Sequence, residues 1–153
     1  MRYDSLIRFA ESLASDIELP HKVVAFAVSG GRVMDYGVNQ LRYNKNRSVF
    51  GLSVHAEMDL LNRMYRRGKT APESFRVYTY RFNRDDATVR CAKPCQLCQH
   101  YLKASGCTHV QYVNDCGIIE RMAKRDFTTM ASEPKGLTEL FIRNNGVSFN
   151  ESR

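Results

Sequence analysis

The segment KVVAFAVSGGRVMDYGV, residues 22–38, holds two β-rich runs, 23–29 and 32–38, on either side of Gly30-Gly31. Glycine takes positive φ without a Cβ clash, as a two-residue hairpin turn requires, so the segment reads as an antiparallel β-hairpin. A lone hairpin is marginal in water and needs further strands or a helix against its apolar face. Upstream, in YDSLIRFAESLASDI (3–17), Leu6, Phe9, Leu13 and Ile17 recur at the spacing of an amphipathic helix. Downstream, VHAEMDLLNRMYRRG (54–68) sets Val54, Met58, Leu61 and Tyr65 on one helical face, with Gly68 as a C-cap. FRVYTYRF (75–82) reads as a buried strand, 96–105 as a helix ended by Gly106, HVQYVN (109–114) as a strand and 117–125 as a helix. A hairpin followed by alternating helix and strand predicts an α/β sheet, parallel beyond the hairpin, with helices on both faces.

At 153 residues, 43% hydrophobic and 25% charged, the chain has the size and composition of one soluble domain, 1–153. It shows no repeat, low-complexity tract or linker, and its polar end NNGVSFNESR (144–153) reads as flexible. No apolar run approaches the roughly 20 residues that span a bilayer. Arg2, Asp4, Arg8, Glu11, Asp16 and Glu18 interrupt the region where a signal peptide would be apolar, so a cytoplasmic protein is expected. In that setting the odd count of five cysteines argues against a disulfide framework and for metal or redox chemistry. The net charge of +7 is uneven, since residues 40–69 set Arg42, Lys45, Arg47, Arg63, Arg66, Arg67 and Lys69 against Glu57 and Asp59. That basic segment suits phosphate-bearing partners, nucleic acid included.

The chemistry concentrates in KPCQLC (93–98). Cys95 and Cys98, three apart at a helix start, share the face of one turn and can reach one ion, and the helix dipole favours their thiolates. Pro94 suits such a start. A redox dithiol is the competing reading, but that motif follows the first strand of a βαβ unit and this one comes late. His55, at the start of the preceding helix, can supply a third ligand. Three protein ligands leave a position for water, as in a catalytic zinc site, whereas a structural site uses four. Cys91 and His100 are weak candidates for a fourth. Glu57, two residues from His55, is then placed to take a proton from water whose pKa the metal lowers. The bland alternatives are a structural zinc site in a non-enzymatic binding module, or core cysteines and a histidine that never meet. Cys107 and Cys116 read as ordinary small residues.

His55-Ala56-Glu57 followed by Pro94-Cys95-Gln96-Leu97-Cys98 resembles the H-x-E…P-C-x-x-C signature of the zinc-dependent cytidine/deoxycytidylate deaminase superfamily, over roughly residues 20–115. The resemblance implies a three-layer α/β/α fold around a mixed five-stranded sheet. It implies one zinc per chain on His55, Cys95 and Cys98, Glu57 as proton shuttle, and backbone around Ala56 and Cys95 positioning water and base. Gly37-Val38-Asn39 resembles the family's G-x-N element, which implies a sugar contact from Asn39. Arg42 and Tyr43 in RYNKNR, and Arg81 at the end of the second strand run, are read as contacts to phosphate or base. GVNQLRYNKNR and HAEMDLL depart from the deoxycytidylate pattern, which loosens the identity of the substrate. A cytosine nucleotide is the expected substrate, a cytosine or adenine within single-stranded DNA or RNA the alternative, and a homo-oligomer, with helix faces such as 58–65 in contact, the expected assembly.

Overall fold

The computed structural model describes residues 1–41, 53–66, 74–83 and 89–128. The hairpin is present as β1 (His21–Ser29) and β2 (Arg32–Val38), joined by Gly30 at φ 58° and Gly31 at φ 74°. It is one end of a mixed sheet. β1 pairs antiparallel with β5 (Phe75–Asn83), β5 runs parallel to β7 (Cys107–Val113), and β7 pairs antiparallel with β8 (Ile119–Ala123). The order is therefore β2-β1-β5-β7-β8, with the two-residue β6 (Val89–Arg90) beside β5. A separate two-stranded ladder joins β3 (Gln40–Leu41) to β4 (Ser53–Val54).

Strand alternation divides the core. Val24, Phe26 and Val28 of β1 point to one face with Tyr78, Tyr80 and Phe82 of β5, and there meet a 3-10 turn (Tyr3–Leu6) and α1 (Ile7–Ala14). Ala25, Ala27 and Val77 point to the other, against α2 (Ala56–Arg66) and α3 (Gln96–Ala104). The expected α/β/α arrangement with helices on both faces of a mixed sheet is thus the one observed. Each aliphatic side chain fully withdrawn from water on these faces contributes about 1.5–3 kcal/mol. The N-terminal residues are also pinned by polar contacts. The Tyr3 hydroxyl donates to the Thr79 carbonyl, while Tyr78 and Tyr80 donate to the carbonyls of Met1 and Tyr3. No helix among the described residues is long and apolar enough to cross a membrane.

The structure corrects three readings of the periodicity. Residues 117–125 are β8 and a 3-10 turn, Lys124–Asp126, so the sheet ends in a second hairpin and not in a parallel strand. The turn is built by Asn114, whose Oδ1 accepts the amides of Cys116 and Ile118, an Asx device that competes with helix formation. In α1 the buried set is Leu6, Ala10, Ala14 and, beyond it, Ile17, while Phe9 stays 46% exposed. Ala10 and Ala14 let the helix lie close to the sheet, while Phe9 sits at the margin with its ring centroid 5.3 Å from that of Phe26. In α2 the inward face is rotated to Ala56, Leu60, Leu61 and Met64, leaving Met58 and Tyr65 half-buried. Gly68 lies outside the described residues.

The closest approach of helix to sheet is at Gly37 of β2. A Cβ built there would lie 2.2 Å from the Ala56 carbonyl oxygen and 2.3 Å from the Leu60 nitrogen, both backbone atoms of α2. Rotamer change cannot relieve such a clash, so the helix would have to shift. Gly37→Ala is expected to lose about 3 kcal/mol or more, beyond the usual cost of an extra core methyl. Urea midpoints compared at equal slope measure this; a loss under about 1 kcal/mol would show that α2 moves freely.

Candidate metal centre and active-site cleft

His55 and Cys95 occupy equivalent positions at the starts of two helices. The His55 carbonyl accepts the Asp59 amide at 2.9 Å and opens α2, and the Cys95 carbonyl accepts the Gln99 amide at 2.9 Å and opens α3. Cys95 itself is extended, at φ −68° and ψ 167°, as a residue capping a helix is. Pro94 therefore precedes the cap instead of sitting in the first turn. Both helices lie on the same face of the sheet.

The two helix starts bring together the three side chains that the sequence singled out. The Nδ1 atom of His55 lies 3.4 Å from the Sγ of Cys95 and 3.4 Å from the Sγ of Cys98. All three donor atoms fall within 4.8 Å of one another, the one such group of candidate ligands among the described residues. A tetrahedral ion with metal–N near 2.1 Å and metal–S near 2.3 Å sets N and S about 3.6 Å apart. The trio fits an ion of that kind, with an imidazole nitrogen and two sulfurs as donors. Cys91 lines the adjoining cleft but is not part of the trio.

The electrostatics of the trio favour one ionised sulfur, that of Cys95. The Cys95 thiol is brought down to about 4, chiefly by the hydrogen bond from the Cys98 thiol and further by His55. Cys98, almost wholly buried, is pushed up because it holds the proton shared with Cys95. The hydrogen bond to Cys95 raises His55 against the opposing effect of burial. Glu57 is 4% exposed, and burial raises its carboxyl above the ordinary range although Cys98 hydrogen-bonds it. A buried carboxyl beside a cluster of ligands can hold a proton near neutrality and release it to a neighbour.

His55, Glu57 and Cys95 line one cleft of about 280 Å³. His55, Ala56, Glu57 and Cys95 form its helical wall, while Asn39 and Arg81 belong to the sheet side. Asn39 is 8% exposed and bound to β1, its Oδ1 accepting the Val23 amide at 2.8 Å and its Nδ2 donating to the His21 carbonyl at 2.6 Å. One N–H and one lone pair of the amide remain for a ligand. Arg42 and Tyr43 lie outside the described residues, as does most of the basic run between Arg42 and Arg47.

Two residues of the surroundings escaped the sequence reading. Asp59, 3% exposed, accepts from the Val38 amide at 3.0 Å, Gln40 Nε2 at 2.7 Å and Arg63 Nε at 2.9 Å, tying α2 to the end of β2 beside Asn39. Gln99 donates to the Pro94 carbonyl at 2.8 Å and accepts the Thr128 amide at 2.9 Å, bracing the loop that carries Cys95. An acid flanked by Met58 and Leu60 was the available signal for Asp59. Nothing in the spacing marks Gln99.

No protein-family model matches the sequence, and no curated protein does. Solved structures share the fold. The cytidine deaminase of Burkholderia pseudomallei aligns at TM-score 0.60 and 21% identity, over 83% of this chain and 96% of that one. The cytidine deaminase of Mycobacterium leprae aligns at TM-score 0.53 and 22% identity, over 82% and 97%. The dCMP deaminase of cyanophage S-TIM5 aligns at 0.52 and 19%, over 74% and 86%. The chain has the cytidine-deaminase-like α/β fold.

The site itself is open to a direct test. Metal titration is expected to find about one tight divalent ion per chain, and none after Cys95→Ser combined with Cys98→Ser. Tight binding kept by the double variant would remove the sulfurs from the centre.

Proposed function

We propose that the protein is a zinc-dependent hydrolytic deaminase that converts a cytosine nucleotide to its uracil form and releases ammonia. The observation that carries the reading is a three-donor His/Cys/Cys set whose His55 and Cys95 line the same cleft as a buried carboxyl, Glu57, that is not a member of the set. Three donors match a catalytic zinc site and fall one short of a structural one. The deaminase fold of the aligned structures supports the same chemistry.

In this reading His55, Cys95 and Cys98 hold one zinc, which when bound supplies a lowered pKa for water and so a nucleophile at neutral pH. Glu57 takes a proton from the attacking water and delivers it to ring N3, then carries a second to the leaving amine. The balance is cytosine plus water giving uracil plus ammonia, with the new C4–O bond replacing the C4–N bond. Burial of Glu57 suits this role, because desolvation raises its carboxyl above the ordinary range and makes it a better proton acceptor. Ala56, wholly buried at the start of α2, and Asn39 border the space for base and sugar. The cleft, near the ~300 Å³ lower end of small-ligand sites, suits a single nucleotide.

Glu57→Ala is expected to keep its metal and lose turnover by about 10²–10⁴-fold, the range ascribed to a general acid–base group. Mass spectrometry of cytidine, deoxycytidine and their monophosphates, with metal analysis of the same samples, reads both quantities. Retained turnover would remove Glu57 from the mechanism. Absence of deamination by the metal-loaded parent on every cytosine compound would favour a binding module.

A further inference from the structure

We propose that Arg81 and His21 form an anion subsite in the cleft, built to seat the 5′-phosphate monoester of a mononucleotide. The pleat puts them together. Val23 and Val77 pack on the α2 side of the sheet, so alternation turns His21 and Arg81 to that same side, where both line the cleft. Val23 and Arg81 are cross-strand partners, and His21 stands two residues along β1.

The hydrogen bonding fixes what the pair offers. Arg81 Nη2 lies 3.0 Å from His21 Nδ1. A guanidinium only donates, so Nδ1 accepts, and the neutral imidazole must carry its proton on Nε2. The pair thus presents further guanidinium N–H groups and one imidazole N–H, all donors. Arg81 Nε is buried and has no hydrogen-bond partner among the described residues. A buried donor left in that state is unfavourable, and a bound oxyanion would satisfy it.

The charge pattern points the same way. Arg63, on α2 itself, has Asp59 as its counter-ion, and Arg2 has Asp4, but no carboxylate faces Arg81 among the described ion pairs. Lys93 adds a second fixed cation to the cleft, and Glu57 is its one acidic lining residue. Two cations, an imidazole donor and an unmet guanidinium N–H match the charge and the oxygens of a phosphate monoester. The identity of the attached base rests on the deaminase reading, whereas the anion subsite is a property of the cleft.

Calorimetric titration with uridine 5′-monophosphate and with uridine, which bind without turnover, tests the subsite. The parent protein is expected to bind the monophosphate at least about tenfold more tightly than the nucleoside, and Arg81→Ala to bring that ratio close to one. Arg81→Lys, which keeps the charge and loses the fork, gives an intermediate ratio and supplies the readout if the alanine variant does not fold. Equal affinity of the parent for both ligands, or a ratio unchanged in a folded Arg81 variant, overturns the proposal. Tighter binding of a uracil-containing oligonucleotide than of the monophosphate overturns it in favour of a polynucleotide. If no cytosine compound is deaminated while monophosphate binding still depends on Arg81, the subsite stands and the deaminase reading falls.

Discussion

The contact on which the rest depends is the one between the backbone of α2 and the strand at Gly37. There is no room for a Cβ between them, and the atoms that would be struck, the Ala56 carbonyl and the Leu60 amide, belong to the first turns of the helix. That closeness sets how deep the start of α2 sits against the sheet, and therefore where His55 and Glu57 stand. Ala25 and Ala27 on β1 extend the same low surface under the helix. The sheet is bulky toward α1, with Phe26, Tyr78 and Tyr80, and shallow toward the site. Bulk on one face and small residues on the other are what let a helix end, rather than a helix side, reach the centre of the cleft.

Depth alone does not fix orientation, and three buried polar side chains supply the rest. Asp59 fastens α2 to the amide of Val38 and to Gln40, Asn39 closes the end of β2 onto β1, and Gln99 braces the Pro94 loop against Thr128. Each is at most 8% exposed and hydrogen-bonded to backbone, the arrangement in which a buried polar group adds definition without a net penalty. The candidate donors His55, Cys95 and Cys98 stand at the starts of the two helices so held. A few tenths of an ångström matter there, because the separation of nitrogen and sulfur must suit a single ion.

Much of this was legible in the order of residues, for reasons that differ between elements. The hairpin at 22–38 is local, its turn fixed by two glycines and its strands by alternation. The His55, Glu57, Cys95 and Cys98 set was legible because few other chemistries use those residue types at two helix starts. The region 117–125 was not, since a short segment with mixed apolar and charged residues suits helix and edge strand alike, and Asn114 decides the matter through a turn. Phe9 misled because periodicity counts apolar residues without their size, and the sheet there accepts Ala10 and Ala14. Gly37 was noticed for its place beside Asn39, yet its role as a packing gap needs the partner helix, 19 positions further on, to be visible. Asp59 and Gln99 act through backbone atoms remote in sequence, which composition and spacing cannot register.

The pinning of the first residues to β5 bears on how the chain comes to be folded. Tyr3 is joined to Thr79 and Tyr80, and Met1 to Tyr78, across separations of 76 and 77 residues. β5 is also the strand that links the opening hairpin to the parallel pair. During synthesis these contacts of Met1 and Tyr3 therefore wait until β5, 76 to 77 residues further on, has emerged. At roughly 5–20 residues per second this is a wait of several seconds. Contacts of such long sequence separation delay completion of the core until distant segments have met. The hairpin can form early and offers α1 the β1 side chains Val24, Phe26 and Val28, while the tyrosine contacts to β5 come later.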